Sequence, residues 1–212
     1  MSKELKFADI VSYGFKTGIK NLPSLLGCVV LWVLTFWIPY VNVGTTIAIA
    51  SLPAMLSKGK TISPLQIFDS SYRKYMGEFF LANGFKNMMI SAAALFMIIP
   101  GIIVAISYSL TTLIIVDKGK SASEALKLSL DATDGHKAVI FGWYVLFSIV
   151  VICIPFWLLA KLWMPLATVW MIVASVAGIA AQGYIYKQLV EDIPSDLEDA
   201  TPETPEPSEA TA

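Results

Sequence analysis

Charge is scarce in this chain, and histidine is almost missing. Asp, Glu, Lys and Arg make up 15% of the 212 residues, and His136 is the one histidine. A soluble domain of this size is nearer a quarter charged, so the composition argues against a water-soluble globule. None of the ionisable residues falls in the central half of a long apolar run, where proton relays and ion pathways place theirs. That absence argues against a coupled transporter. One His and two separated cysteines, Cys28 and Cys153, are too few for an ordinary zinc site. The two thiols fall at different depths of their apolar runs, so they are expected to stay free. No phosphate-cradling glycine loop and no serine elbow is present. Asp131 and Asp134, three residues apart near a helix end, are expected to be solvated or capping, and His136 to face water or headgroups. The expectation is therefore a protein without catalysis, cofactor or metal, and without a nucleic-acid partner. A signal peptide is not visible either: the first long apolar run, from Leu25, lacks a small-residue cleavage pattern and is expected to be retained as a span.

What the chain does have is apolar sequence. Hydrophobic residues make up 56% of it, and the mean hydropathy is +0.68. Residues 88–120 organise the rest: a long apolar stretch cut near its middle by Pro100-Gly101. One straight helix over its uncharged part, residues 88–116, would be about 43 Å long, beyond a hydrocarbon core of about 30 Å. Pro100 interrupts a helix and Gly101 tolerates a tight turn, so the chain is expected to cross and return there. The same reading gives six spans, at residues 25–40, 44–56, 79–99, 101–116, 138–155 and 165–186. The expected fold is an all-α integral membrane protein, with six transmembrane helices as three Pro-turned hairpins and interfacial amphipathic helices between them. Residues 4–20 carry Phe7, Ile10, Val11, Phe15 and Ile19 at helical spacing, with Gly14 and Gly18 on the same stripe. Such a helix suits the membrane surface or a packing role on the soluble side. A second surface helix is expected over residues 61–78, with Ser63 as N-cap, Pro64 in its first position and Leu65, Phe68, Tyr72 and Met76 on one face. A third follows over residues 121–137, capped by Ser123. Residues 1–190 thus read as a six-span membrane domain, and 191–212, with four prolines and no aromatics, as a disordered acidic cytoplasmic tail.

The units repeat. Each expected apex has an Ile-Pro pair: Ile38-Pro39, Ile99-Pro100, Ile154-Pro155. Each approach to a hairpin carries a Gly-x-Lys, at Gly18, Gly84 and Gly135, and two exits match as Lys58-Gly59-Lys60 and Lys118-Gly119-Lys120. Three units with two crossings each run the same way through the membrane, a parallel repeat. Of the 15 Lys and Arg residues, 14 then lie on the side of the termini, and Lys161 alone lies opposite. The positive-inside rule puts both termini in the cytoplasm. Outside the tail, 15 basic groups face 8 acidic ones, a net of +7, while the tail holds the other 8 acidic residues.

Two sets of residues are candidate sites. The lysine elbows, Lys20, Lys58, Lys60, Lys86, Lys118, Lys120 and Lys137, either only set topology or hold acidic lipids. Polar residues of the fourth span, Ser107, Tyr108, Ser109, Thr111 and Thr112, either line a path or hydrogen-bond between helices. Small residues spaced by four, Gly44/Ala48, Gly101/Ala105/Ser109 and Ala174/Gly178, are expected to make the second, fourth and sixth spans a tight interior or a dimer face.

Around residues 99–103 (IPGII), Tyr108, residues 116–129 (VDKGKSASEALKLS) and residues 133–142 (TDGHKAVIFG), the chain resembles a family of bacterial multi-pass membrane proteins. These are the proteins related to the membrane domain of glycerophosphoryl diester phosphodiesterases. In fused members catalysis belongs to a separate hydrolase domain, for which this chain has neither the length nor the residues. The resemblance implies a membrane fold and no activity. The expected function is a non-catalytic membrane-organising or partner-binding protein contacting acidic lipids, with a homo-oligomer or another membrane protein as further partner. The alternative is a channel or carrier component for a lipid or small uncharged solute.

Overall fold

The computed structural model describes residues 5–59 and 62–190, so Lys60 and the acidic tail lie outside the described residues. Every regular element among the described residues is helical. In order they are α1 (Phe7–Lys20), α2 (Leu22–Thr35), α3 (Pro39–Ser57), a 3-10 turn (Pro64–Phe68), α4 (Ser71–Lys74), α5 (Met76–Phe96), α6 (Ile98–Ser107), α7 (Thr111–Lys118), α8 (Ala122–Thr133), α9 (Lys137–Leu146), a π-helical stretch (Phe147–Cys153), α10 (Ile154–Leu162) and α11 (Met164–Val190). Five helical runs are long and apolar enough to cross a membrane: Pro39–Ser57, Met76–Phe96, Ile98–Lys118, Lys137–Leu162 and Met164–Val190. The pair α1 and α2 passes the same test only together, with a bend of 74° between its halves.

Proline sets three of the junctions. An extended residue, Ile38, Met97 or Trp163, stands just before the next helix, which carries Pro39, Pro100 or Pro165 in its first turn. The N–H groups of a first turn have no intrahelical acceptor, so proline loses nothing there. Across these junctions α2 packs on α3, α5 on α6 and α10 on α11.

The third apex is therefore not Ile154-Pro155, as the repeat suggested, but Trp163 followed by Pro165. Pro155 sits inside a helical run that continues to Leu162. Two features let it stay there. The helix widens to π geometry immediately before it, a common relief for a disturbed ladder. Pro155 also lacks the N–H that an α-helix would aim at the Val151 carbonyl, and that oxygen accepts the indole N–H of Trp170 in α11 at 2.7 Å. The longer run takes in Trp157 and Lys161, which the sequence placed in a loop. The Lys161 ammonium lies 3.6 Å from the centroid of the Trp157 ring.

The interior is made by α3, α7 and α11, as the small residues suggested, but by different contacts. Gly14 and Gly18 of α1 lie directly on Ala177 and Ala181 of α11; a Cβ on Gly18 would sit 2.9 Å from the Ala177 Cα. Gly183 of α11 crosses α3 against the Pro53 carbonyl, leaving no room for a Cβ. Gly101 instead approaches Ala94 of α5, and Ala105 and Ser109 face a groove beside α9. The expected stripe of the fourth span is thus split between two neighbours. Helix α5 buries only Ala82, and α10 buries nothing. Large apolar side chains stand out at the junctions: Trp37 and Leu95 are each 87% exposed and Phe96 85%. Apolar patches of this kind have no place in water, and the medium that accepts them is the interior of a membrane.

The segments between the long helices also differ from expectation. Residues 61–78 do not form one helix. A 3-10 turn buries Ile67 and leaves Leu65 and Phe68 exposed, and α4 then starts after Asp69 accepts the Ser71 N–H at 2.9 Å. Helix α8 is capped by Ser121, not Ser123, through a capping box with Glu124. The Glu78 carboxylate of α5 also accepts the Ala122 N–H, tying the start of α8 to a second helix.

Candidate functional site

The polar residues of the fourth span gather where its helix breaks. Helix α6 ends at Ser107, α7 starts at Thr111, and the turn between them leaves backbone groups without intrahelical partners. Ser129 of α8 repairs the break. Its fully buried hydroxyl donates to the Ser107 carbonyl at 2.7 Å and accepts the Leu110 N–H at 3.3 Å. The Thr133 hydroxyl lies 3.4 Å from the same carbonyl. The five polar side chains do not share one direction. Ser107 and Thr111 are buried, with the Thr111 hydroxyl unpartnered among the described residues. Tyr108 lines a hollow with Phe85, Lys127 and Leu130. Ser109 opens on the α6–α9 groove, an apolar space of about 570 Å³ with Ile102, Phe141 and Ser148 on its walls. Thr112 is half-buried and lines neither.

The lysine elbows divide likewise. Lys58 and Lys118 come together in a hollow of about 490 Å³ whose wall also holds Tyr13, Asp117, Tyr186 and Lys187. The elbows share a backbone device: Gly59 and Gly119, sixty positions apart, both take left-handed angles, φ 67° and 71°. Asp117, largely buried, binds the Lys58 ammonium and accepts the Tyr186 hydroxyl proton at 2.8 Å. Its charge, after burial, keeps the Tyr75 hydroxyl above its ordinary range. Tyr13 donates to the Leu56 carbonyl at 3.2 Å, so both phenols are spoken for. Lys118 and Lys187 have no ion-pair partner among the described residues.

The other elbows stand apart. Lys20 is exposed at the end of α1, and Lys86 lies midway along α5, so the expectation that no ionisable residue falls in the central half of an apolar span fails there. Lys120 lies in the turn before α8. Lys137 opens α9 and pairs with Asp134 at 3.0 Å, and that hydrogen bond holds the Asp134 carboxyl below the usual range. His136 sits in the same bend, its Nδ1 3.2 Å from the Asp134 carbonyl. Sequence reasoning counted Lys187 for topology but missed it as a site residue. Its position, leaving the last crossing as Lys58 and Lys118 leave theirs, was the available signal. Among the described residues no cluster of His, Cys, Asp and Glu could hold a metal ion, and Cys28 is buried while Cys153 is exposed.

Compared with known proteins, the chain matches no family profile, no curated sequence and no solved structure.

Proposed function

We propose that this is a non-catalytic protein of the bacterial inner membrane that crosses six times as three helical hairpins. Both termini face the cytoplasm, and lysine elbows on that face contact acidic lipid headgroups. The observation that carries the reading is a polarity of the helix ends: Lys58, Lys118 and Lys187 stand at one end of α3, α7 and α11, while the most exposed large apolar side chains, Trp37, Leu95 and Phe96, stand at the junctions of the opposite ends. Lysines near an anionic surface are worth about 1 kcal/mol each, so such a face binds acidic leaflets without needing a catalytic group. The resemblance to the membrane domain of the glycerophosphoryl diester phosphodiesterases fits this reading. The crossings are unequal in reach. Nine residues of α5 follow Asn87, about 14 Å of helix, and α6 adds about 15 Å on its way back. With Lys86 held at the headgroups, this pair crosses only where the bilayer thins around Met97.

The α6–α9 groove supports a second reading, a carrier or channel component for a lipid or small uncharged solute, since it is apolar and touches Ser109. Topology and depth test the first. In a variant lacking Cys28 and Cys153, a cysteine at Lys161 labels from outside intact cells and one at Lys127 does not; the reverse pattern refutes it. Spin labels at Met97 resting at mid-bilayer would make the central pair re-entrant.

A further inference from the structure

We propose that the hollow between the hairpin exits is a binding site for a doubly charged phosphate group, a phosphomonoester. This deepens the acidic-lipid reading and rests on it for placing this face beside the headgroups.

The argument begins with where the lysines come from. Lys58 leaves α3, Lys118 ends α7 and Lys187 lies in the last turn of α11, so three separate long helices deliver one ammonium each to one hollow. A lysine that only marks the cytoplasmic side has no reason to converge with two others, because like charges brought together repel. Asp117 offsets one of them. Its carboxylate takes Lys58 and the Tyr186 hydroxyl, which leaves it no outward claim on the other two. Lys118 and Lys187 remain without a carboxylate partner among the described residues. Among the described residues, three ammonium groups against one carboxylate give the wall a net charge of +2.

That number selects the ligand class. A carboxylate brings one negative charge and a phosphodiester one, whereas a phosphomonoester carries about −1.5 to −2 at neutral pH on three acceptor oxygens. Lysine serves phosphate well as a point charge with rotatable donors. The size fits more than a bare ion. A water takes about 30 Å³ of liquid, so a hollow of about 490 Å³ holds a phosphate and an attached organic part. The rings of Tyr13 and Tyr186 and the side chain of Val190 offer that part an apolar wall. The phosphate can belong to a lipid such as phosphatidic acid, or to a soluble phosphomonoester.

The test uses the full chain in detergent free of phospholipid, titrated calorimetrically with phenyl phosphate and separately with dihexanoyl phosphatidic acid. Saturable binding of at least one is expected, weakened about tenfold or more in K118Q/K187Q, as for charge-assisted hydrogen bonds, and unchanged in K74Q/K127Q, two exposed lysines outside the hollow and the elbows. Binding of both probes supports the site with the phosphate group as its ligand; binding of phosphatidic acid alone supports it with a lipid source. K187Q by itself alters an exposed side chain in a last turn, keeps the fold, and is expected to weaken binding severalfold. The proposal is overturned if neither probe saturates, if acetate binds as tightly, or if K74Q/K127Q loses as much as K118Q/K187Q. Enrichment of phosphatidylglycerol around the protein in nanodiscs is read in parallel. Its absence would sink the general acidic-lipid reading while leaving the calorimetric result to decide the hollow.

Discussion

Replacing Ser129 with alanine removes one oxygen atom and strands two backbone groups. In the wild type that oxygen donates to the Ser107 carbonyl and accepts the Leu110 N–H, both beside the break between α6 and α7. Ser129 is fully buried, so water cannot stand in for it. Each buried group left unsatisfied costs about 1–3 kcal/mol. The 3.3 Å bond from Leu110 belongs at the low end of that range, and the Thr133 hydroxyl, 3.4 Å from the Ser107 carbonyl, can partly replace the other. The sum is therefore about 2–3 kcal/mol. For a chain of this length that lowers the thermal midpoint in detergent by about 5–10 °C. Hydrogen exchange should quicken at residues 107–112 before it does elsewhere, because the loss is local to the break. Ser123→Ala, an exposed serine on the same helix, is the control and should change stability by less than about 0.5 kcal/mol. If S129A melts with the wild type and exchange at 107–112 is unchanged, the break is not held by this hydroxyl and the reasoning fails.

The remaining predictions concern the other crossings. Trp170→Phe should cost about 1–3 kcal/mol by stranding the Val151 carbonyl; Pro155→Ala, which restores an N–H to the ladder, should recover part of that loss in the double variant, and strict additivity would refute the pairing. Gly183→Ala should destabilise by at least about 1–3 kcal/mol, because the new methyl meets the Pro53 carbonyl, whereas Ala105→Leu, facing the α6–α9 groove, should leave the melting temperature nearly unchanged; equal effects would dismiss the assigned crossing. Asp69 is the pH-sensitive cap: the Ser71 N–H holds its carboxyl below the usual range. Its contribution is thus complete above the ordinary carboxylate range and lost as pH falls through the depressed value. Exchange at α4 should accordingly rise at acid pH in the wild type but show no such pH dependence in Asp69→Asn.

Much of the fold was legible because the membrane demands long apolar runs, and the composition supplies them in plain view. Pro39 does open a helix, since a proline between two apolar runs usually starts the second; Pro100 does so only nearly, because the break falls at Met97 and both Pro100 and Gly101, expected to form the turn, are already helical in α6. Pro155 carries the same local signal and means something else. What keeps it inside a helix is the indole of Trp170, in the next long helix, and no local pattern announces that pairing. The cap of α8 was readable and missed: Ser121 with Glu124 three positions on is a capping box, whereas Ser123 has no such partner. The polar cluster was found by composition, but its use was not. Ser129 looks like any serine on a polar helix until α8 folds against Ser107, twenty-two positions earlier. Lys58 and Lys118 were paired by their repeated motif; Lys187, outside the motif, joined them only through the packing of α11.

The pairing of α1 with α11 sets a timetable for synthesis. Gly14 and Gly18 have no surface to rest on until Ala177 and Ala181 exist, about 160 residues later, which at roughly 5–20 residues per second is about 8–30 s. Among the described helices the last is the partner of the first, so no helix between them can complete that contact early. During that wait α1 must lodge somewhere, with Phe7, Phe15 and Ile19 along one flank and Lys16 and Lys20 along another. A bilayer surface accepts such a helix at once. The amphipathic pattern that marks α1 as a surface helix thus describes its berth during translation, and the two glycines describe its destination.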